Sequence, residues 1–209
     1  MYKGIIFDLD GVICFTDKYH YQAWKQLADR LGIYFDETIN NRLRGVSRMD
    51  CLDIVLEKSD KEYTQAEKEA LATEKNETYK KLLVNMSPTD LSDEIRDTLN
   101  ELRNRGYKLA IGSSSKNTRM ILARLGLGDF FDAISDGTNI TKSKPDPEVF
   151  LKAAEFIGEN PEDCLVVEDA EAGIEAAHRG GFKSAGLGDA KKHPAVTYKL
   201  NTFSDLLKI

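Results

Sequence analysis

The chain has 209 residues, 41% hydrophobic and 31% charged, with a formal net charge of −6 at pH 7. That length holds one large domain or a domain with a smaller insert, and the composition is that of a globular protein with a sizeable core. The acidic balance and the absence of a Lys/Arg-rich block argue against nucleic acid, no apolar run approaches the roughly 20 residues needed to cross a bilayer, and a secretion signal is not expected. Cys14, Cys51 and Cys164 are widely separated and odd in number, so they read as reduced thiols of a cytoplasmic protein.

The first element is a compact apolar run over residues 4–8, which predicts a buried strand ending on Asp8, with Asp10 two residues further on. A helix follows from Asp17 to Leu31, marked by Tyr19, Ala23, Leu27 and Leu31 on one face and by Gly32 as its stop. From there to Met86 the sequence is charged and helix-prone. Its clearest piece is Thr64–Leu83, where Thr64 and Glu67 have capping-box spacing.

After Pro88 the texture changes to alternating helices and strands. Ser92 caps a helix that carries Ile95, Leu99 and Leu102 and stops at Gly106. "YKLAIG" is a strand, "KNTRMILARLGL" a helix, "FFDAISDG" a strand, "DPEVFLKAAEFIG" a helix with Pro147 near its first turn, "CLVVED" a strand, "AEAGIEAAHRGG" a helix and "KSAGLG" a short strand. This alternation predicts an α/β fold, a parallel sheet with helices on both faces. A helical insert at residues 15–88 follows the first strand, and the α/β core domain takes residues 1–14 and 89–209.

Ligands of an open parallel sheet sit beyond the carboxyl ends of its strands. Asp8 and Asp10 reach that end from the first strand, and Glu168 and Asp169 from "CLVVED". Four carboxylates in one crevice repel and tend to hold protons. A hard divalent cation relieves this, and oxygen ligands suit Mg2+, which favours phosphate oxygens in turn. The loop Ser113, Ser114, Ser115, Lys116, Asn117 offers hydroxyls and amides as an anion seat, with the phosphate-contacting serine left open. Lys144 can offset the carboxylates and bind phosphate.

"FDLDGVI", the serine after "LAIG", the lysine of "KSKPDP" and "VVEDAEAGI" resemble, in order and spacing, the motifs of the haloacid dehalogenase superfamily. The resemblance spans the chain and implies a Rossmann-like core, Mg2+ and a phospho-aspartyl intermediate. Asp8 is then the nucleophile, since a carboxylate attacks without first losing a proton, and Asp10 the general acid/base. Ser113 and Lys144 bear the charge of the transferring group.

The insert narrows the reading. Thr16, His20 and Trp24 in "TDKYHYQAW", Arg44, Gly45, Val46 and Arg48 in "RLRGVSRMDCL", and Lys75 in "ATEKNETY" resemble the cap of the β-phosphoglucomutase family, and "SSSKN" its phosphate loop. The resemblance implies interconversion of β-D-glucose 1-phosphate and β-D-glucose 6-phosphate through β-D-glucose 1,6-bisphosphate. Arg48, Ser115, Lys116 and Asn117 would form a second, non-reactive phosphate seat, with amides near Gly45 and Val46. Closing the cap would exclude water so that sugar outcompetes hydrolysis. His20 and Lys75 would position the sugar and the general acid; for His20 and Trp24, plain packing is the competing assignment.

Three positions depart from that family: Phe15 stands where an acidic residue is usual, Arg44 where Lys is, and Cys51 where Ser is. Phe15 keeps a second hypothesis in play, a sugar-phosphate or phosphoglycolate phosphatase. A phosphate-binding receiver-like module is a third, which neither the large insert nor the second aspartate suits. The expected partners are small sugar phosphates, and the chain is expected to be a monomer that touches neither nucleic acid nor membrane.

Overall fold

The computed structural model describes residues 2–43 and 47–209, so the expected phosphate-seat residues Arg44, Gly45 and Val46 lie outside the described residues. The chain divides into two compact units, one of Met1–Phe15 with Met86–Ile209 and one of Thr16–Asn85.

The first unit is built on a six-stranded sheet of β1 (Gly4–Phe7), β2 (Lys108–Gly112), β3 (Ala133–Ser135), β4 (Cys164–Glu168), β5 (Lys183–Gly186) and β6 (Tyr198–Lys199). Every pairing is parallel and the order is β3-β2-β1-β4-β5-β6. This is the α/β arrangement expected from the alternation of elements, and the Rossmann-like core that the resemblance implies. Its strand order reverses between β1 and β4, and such a switch point leaves a crevice at the carboxyl ends of the two strands. Register puts Phe7 opposite Val167, so the next residues, Asp8 and Glu168, emerge there side by side.

Among the described residues its α-helices are α5 (Asp93–Asn104), α6 (Thr118–Arg124), α7 (Glu148–Ile157) and α8 (Glu171–Arg179), numbered in chain order. Ile6, Ala110 and Val166 form one buried cluster with Val149, Phe150, Ala153, Ala154 and Ile157 of α7 and with Ala176 and Ala177 of α8. On the alternate side-chain position of β1, Phe7 meets Phe131 and Phe203 at ring-centroid distances of 6.2 and 5.8 Å. Full burial of a phenylalanine contributes about 1.5–3 kcal/mol. The apolar strand runs therefore bury both faces, which sandwiches the sheet between helices.

The second unit holds α1 (Asp17–Leu31), α2 (Glu37–Asn41), α3 (Arg48–Leu56) and α4 (Gln65–Leu83), with no strand among its described residues. Gly32 ends α1 in the left-handed conformation, and Thr64 and Glu67 form the reciprocal capping box at the start of α4. The unit has its own core, which includes Trp24, Leu27, Ala28, Phe35, Leu52, Val55 and Leu71.

Local expectations meet the structure unevenly. α1 runs from Asp17 to Leu31 as its periodicity predicts. α6 is only seven residues long, because its backbone turns at Gly126 with φ of 75°. The strand β6 has two residues and no apolar run to announce it. All three cysteines are buried. Burial pushes the Cys14 thiol well up, and those of Cys51 and Cys164 to about 11, so none has thiolate character at neutral pH. No helix among the described residues is long and apolar enough to cross a membrane.

Candidate active site

Asp8 follows β1 directly. Its N–H donates to Val167 O at 2.9 Å, which continues the sheet pairing one residue beyond the strand, and its side chain is buried. Glu168 is the last residue of β4 and only 1% exposed. Its Oε2 accepts from the backbone N–H groups of Asp169 and Ala170, both at 2.8 Å. Between them reaches Lys144, from the loop before α7. Its Nζ donates to Asp8 Oδ1 at 2.5 Å and to Glu168 Oε1 at 2.7 Å, with the ring of Phe150 4.6 Å away.

One oxygen each from Asp8, Glu168 and Asp169 lies within 4.8 Å of the others. Three carboxylates against one ammonium leave two negative charges unmatched in a largely buried place. Burial, joined by the charges of Glu168 and Asp169, pushes the Asp8 carboxyl well above its ordinary range against the pull of Lys144. Burial and then Glu168 push Asp169 up to about 7. For Lys144, burial works against the ammonium, but Asp8 and Glu168 outweigh it and raise its pKa. Three crowded carboxylates offering hard oxygen donors, two of them with raised pKa, fit a divalent cation such as Mg2+.

Asp10, the fourth carboxylate expected here, stands beside this group of three. β1 ends at Phe7, and beyond it the chain leaves strand geometry: Asp10 bridges to Cys14 and Gly11 turns with φ of 87°. The spacing of two that places strand residues on one face no longer applies. Its charge still reaches the site, as a minor contributor to the raised Asp169 pKa. Gly11 itself has no room for a side chain: a Cβ would lie 2.1 Å from Asp169 Oδ2.

The serine loop follows β2 and is closed by its own bonds. Ser113 Oγ accepts the N–H of Ser115 at 3.2 Å, and Ser115 Oγ that of Asn117 at 3.1 Å. Gly137 N–H and Thr118 Oγ1 both donate to Ser115 O, at 3.1 and 2.9 Å. Asn117 is buried and Lys116 exposed. The Ser114 hydroxyl is buried with no hydrogen-bond partner among the described residues. An orphaned buried hydroxyl costs about 1–3 kcal/mol, and a phosphate oxygen would offset it.

In the helical unit, Lys75 is 4% exposed, and its Nζ is 2.8 Å from His20 Nδ1. An ammonium has only donors, so Nδ1 accepts and the imidazole stays neutral with its proton on Nε2. Burial, then the charges of Lys75 and Arg48, hold His20 well below the ordinary histidine range. The Lys75 ammonium lies 4.6 and 4.8 Å from the ring centroids of Trp24 and Tyr79. Tyr79 stacks on His20 at 4.1 Å and donates its hydroxyl to Thr16 Oγ1 at 3.0 Å.

Trp24 is 2% exposed in the unit's core, where its indole lies against the Lys75 ammonium, the packing alternative to a sugar contact. Arg48 opens α3 half-buried, and burial lowers its pKa. Cys51 is a core thiol whose Sγ donates to Leu43 O at 3.4 Å. Phe15 is 68% exposed. Tyr79 carries no motif, but its spacing of four from Lys75 on a helix makes the two neighbours. Nothing in the sequence marked Phe150 as the wall behind Lys144.

Comparison with known proteins agrees with this geometry. Residues 2–181 match the haloacid dehalogenase-like hydrolase family. The chain is 41% identical to β-phosphoglucomutase of Bacillus subtilis over 206 residues, 98% of this chain and 91% of that one. It is 32% identical to a fructose-1-phosphate phosphatase of Escherichia coli, over 87% of this chain and 94% of that one. A solved structure of β-phosphoglucomutase from Clostridium difficile superposes with a TM-score of 0.90 at 37% identity, covering 99% of this chain and 93% of that chain. The chain belongs to the haloacid dehalogenase-like hydrolase family.

Proposed function

We propose that the chain is a Mg2+-dependent β-phosphoglucomutase that interconverts β-D-glucose 1-phosphate and β-D-glucose 6-phosphate. The observation that carries this is the junction at the sheet's switch point, where Lys144 ties Asp8 to Glu168 beside Asp169. Similarity to β-phosphoglucomutase along 98% of the chain, helical unit included, supports the mutase over the wider family.

In one half-reaction the 6-hydroxyl of β-D-glucose 1-phosphate attacks phospho-Asp8: its oxygen bonds to phosphorus as the bond from phosphorus to the Asp8 oxygen breaks, Asp10 takes the hydroxyl proton, and β-D-glucose 1,6-bisphosphate forms. In the other, an Asp8 oxygen bonds to the phosphorus on C1 of the bisphosphate as the bond from that phosphorus to the C1 oxygen breaks. Asp10 gives its proton to that leaving oxygen, which releases β-D-glucose 6-phosphate and regenerates phospho-Asp8. The bisphosphate is therefore the species between these halves. Asp8 cannot serve as the proton carrier while its oxygen is bonded to phosphorus, which is why a second carboxylate is needed. Lys144 orients Asp8 and meets charge developing on the transferring group. Mg2+, held by Asp8, Glu168 and Asp169, would supply further charge stabilisation on phosphoryl oxygens. The helical unit, as the cap, would supply His20, Lys75 and Arg48 for the sugar and its second phosphate.

The test is to supply β-glucose 1-phosphate, Mg2+ and a trace of the bisphosphate, with the α-anomer in parallel, and identify products. Glucose 6-phosphate from the β-anomer is the expected result. Free phosphate as the main product would overturn the mutase and favour a sugar-phosphate phosphatase, the reading that the fructose-1-phosphate phosphatase likeness and the exposed Phe15 support.

A further inference from the structure

Gly173 is the third residue of α8 and has no backbone reason to be glycine. Its φ is not in the left-handed region, and its N–H donates to Ala170 O at 3.2 Å. Alanine is the better helix former at an ordinary helical position. What excludes alanine is a neighbour. A Cβ at 173 would lie 1.9 Å from both Cδ and Oε1 of Glu168 and 2.5 Å from its Cγ. That carboxylate cannot step aside freely: Lys144 holds Oε1, and the N–H groups of Asp169 and Ala170 hold Oε2. A methyl group must break those bonds or push the helix away.

We propose that Gly173 is a positioning residue for Glu168, its missing side chain being the seat that keeps Oε1 on Lys144 and within reach of the cation. This rests on the reading of Asp8, Glu168 and Asp169 as a divalent-cation site. Gly173 touches no substrate and acts only through the carboxylate it accommodates. Gly11 does the same on the other side for Asp169, but its positive φ demands glycine on backbone grounds as well, so only position 173 isolates the steric role.

The experiment titrates Mg2+ alone, by calorimetry, into wild type, Gly173→Ala, Glu168→Asp and the double variant, with melting curves in EDTA. Gly173→Ala is expected to weaken Mg2+ binding about 10- to 100-fold, the range seen when a group that orients a metal ligand is changed. The Mg2+ concentration for half-maximal turnover should rise in step, while KM for the sugar phosphate at saturating Mg2+ stays within about twofold of wild type. The shorter carboxylate of Glu168→Asp retracts from the new methyl, so the double variant should bind Mg2+ as Glu168→Asp does. Wild-type affinity in Gly173→Ala, or losses that multiply in the double variant, would overturn the proposal. If Gly173→Ala does not fold, Gly173→Ala with Glu168→Ala decides the matter: recovered folding is expected, and continued failure to fold overturns it. A wild-type chain that takes up no Mg2+ would sink the cation reading itself, and the melting comparison would still judge the steric coupling.

Discussion

The two units solve the problem of a buried lysine in opposite ways. Lys144 is neutralised by formal charge: it sits 136 residues after Asp8 and 24 before Glu168 in the chain, and bonds both carboxylates. Lys75 is met by the ring faces of Trp24 and Tyr79 and by a neutral imidazole, all from α1 and α4. The first arrangement leaves excess negative charge that calls for a cation. The second leaves the imidazole neutral, with a donor on Nε2. A lysine among carboxylates suits phosphoryl chemistry, whereas a lysine among rings suits orienting a neutral hydrogen-bonding group.

Breaking the first arrangement should cost the most. Asp8→Asn removes the nucleophile and is expected to lower turnover by about 10⁴-fold or more, whereas Asp10→Asn, which removes proton transfer, should lower it by about 10²–10⁴-fold. Mass spectrometry should find a phosphorylated chain only where Asp8 is intact. A phosphorylated Asp8→Asn chain would overturn the assignment of the nucleophile.

Lys144→Met leaves Asp8 and Glu168 buried without their cation partner. Removing one member of a buried pair costs about 3–5 kcal/mol, so the variant should melt well below wild type in EDTA. Added Mg2+ should restore more stability to it than to wild type, since both cations relieve the same repulsion. Equal Mg2+ stabilisation of the two would break the contrast drawn between the units.

His20 sharpens the comparison from the other side, through pH. Its pKa is depressed in the folded chain relative to the ordinary 6.5, so below that value the unfolded state binds a proton the folded state refuses. The stability it allows is present above about pH 6.5 and is lost as pH falls. In urea melts between pH 7.5 and 5, His20→Asn should therefore show a shallower acid-side loss than wild type. A slope as steep as wild type would remove His20 as a source. The smallest effect concerns only the frame: Thr64→Ala deletes one half of the α4 capping box and should cost about 1 kcal/mol with turnover per folded molecule unchanged.

The local elements and the chemistry of their ends were legible in the order of residues. The run before Asp8, the Asp17–Leu31 periodicity, the Thr64 box and the alternation after Pro88 are set by near neighbours in the chain, whose spacing is governed by helix and strand geometry. Tertiary packing set which partners meet: that Lys144 would span Asp8 and Glu168, that Asp169 would join them, and that the Trp24 indole would lie against Lys75. It alone decided that Gly173 would make room for a carboxylate five residues earlier. Those outcomes depend on strand order, on where a strand stops, and on how a helix is rotated against its neighbour, which are properties of packing between distant segments and leave no periodic trace in the residues that bear them.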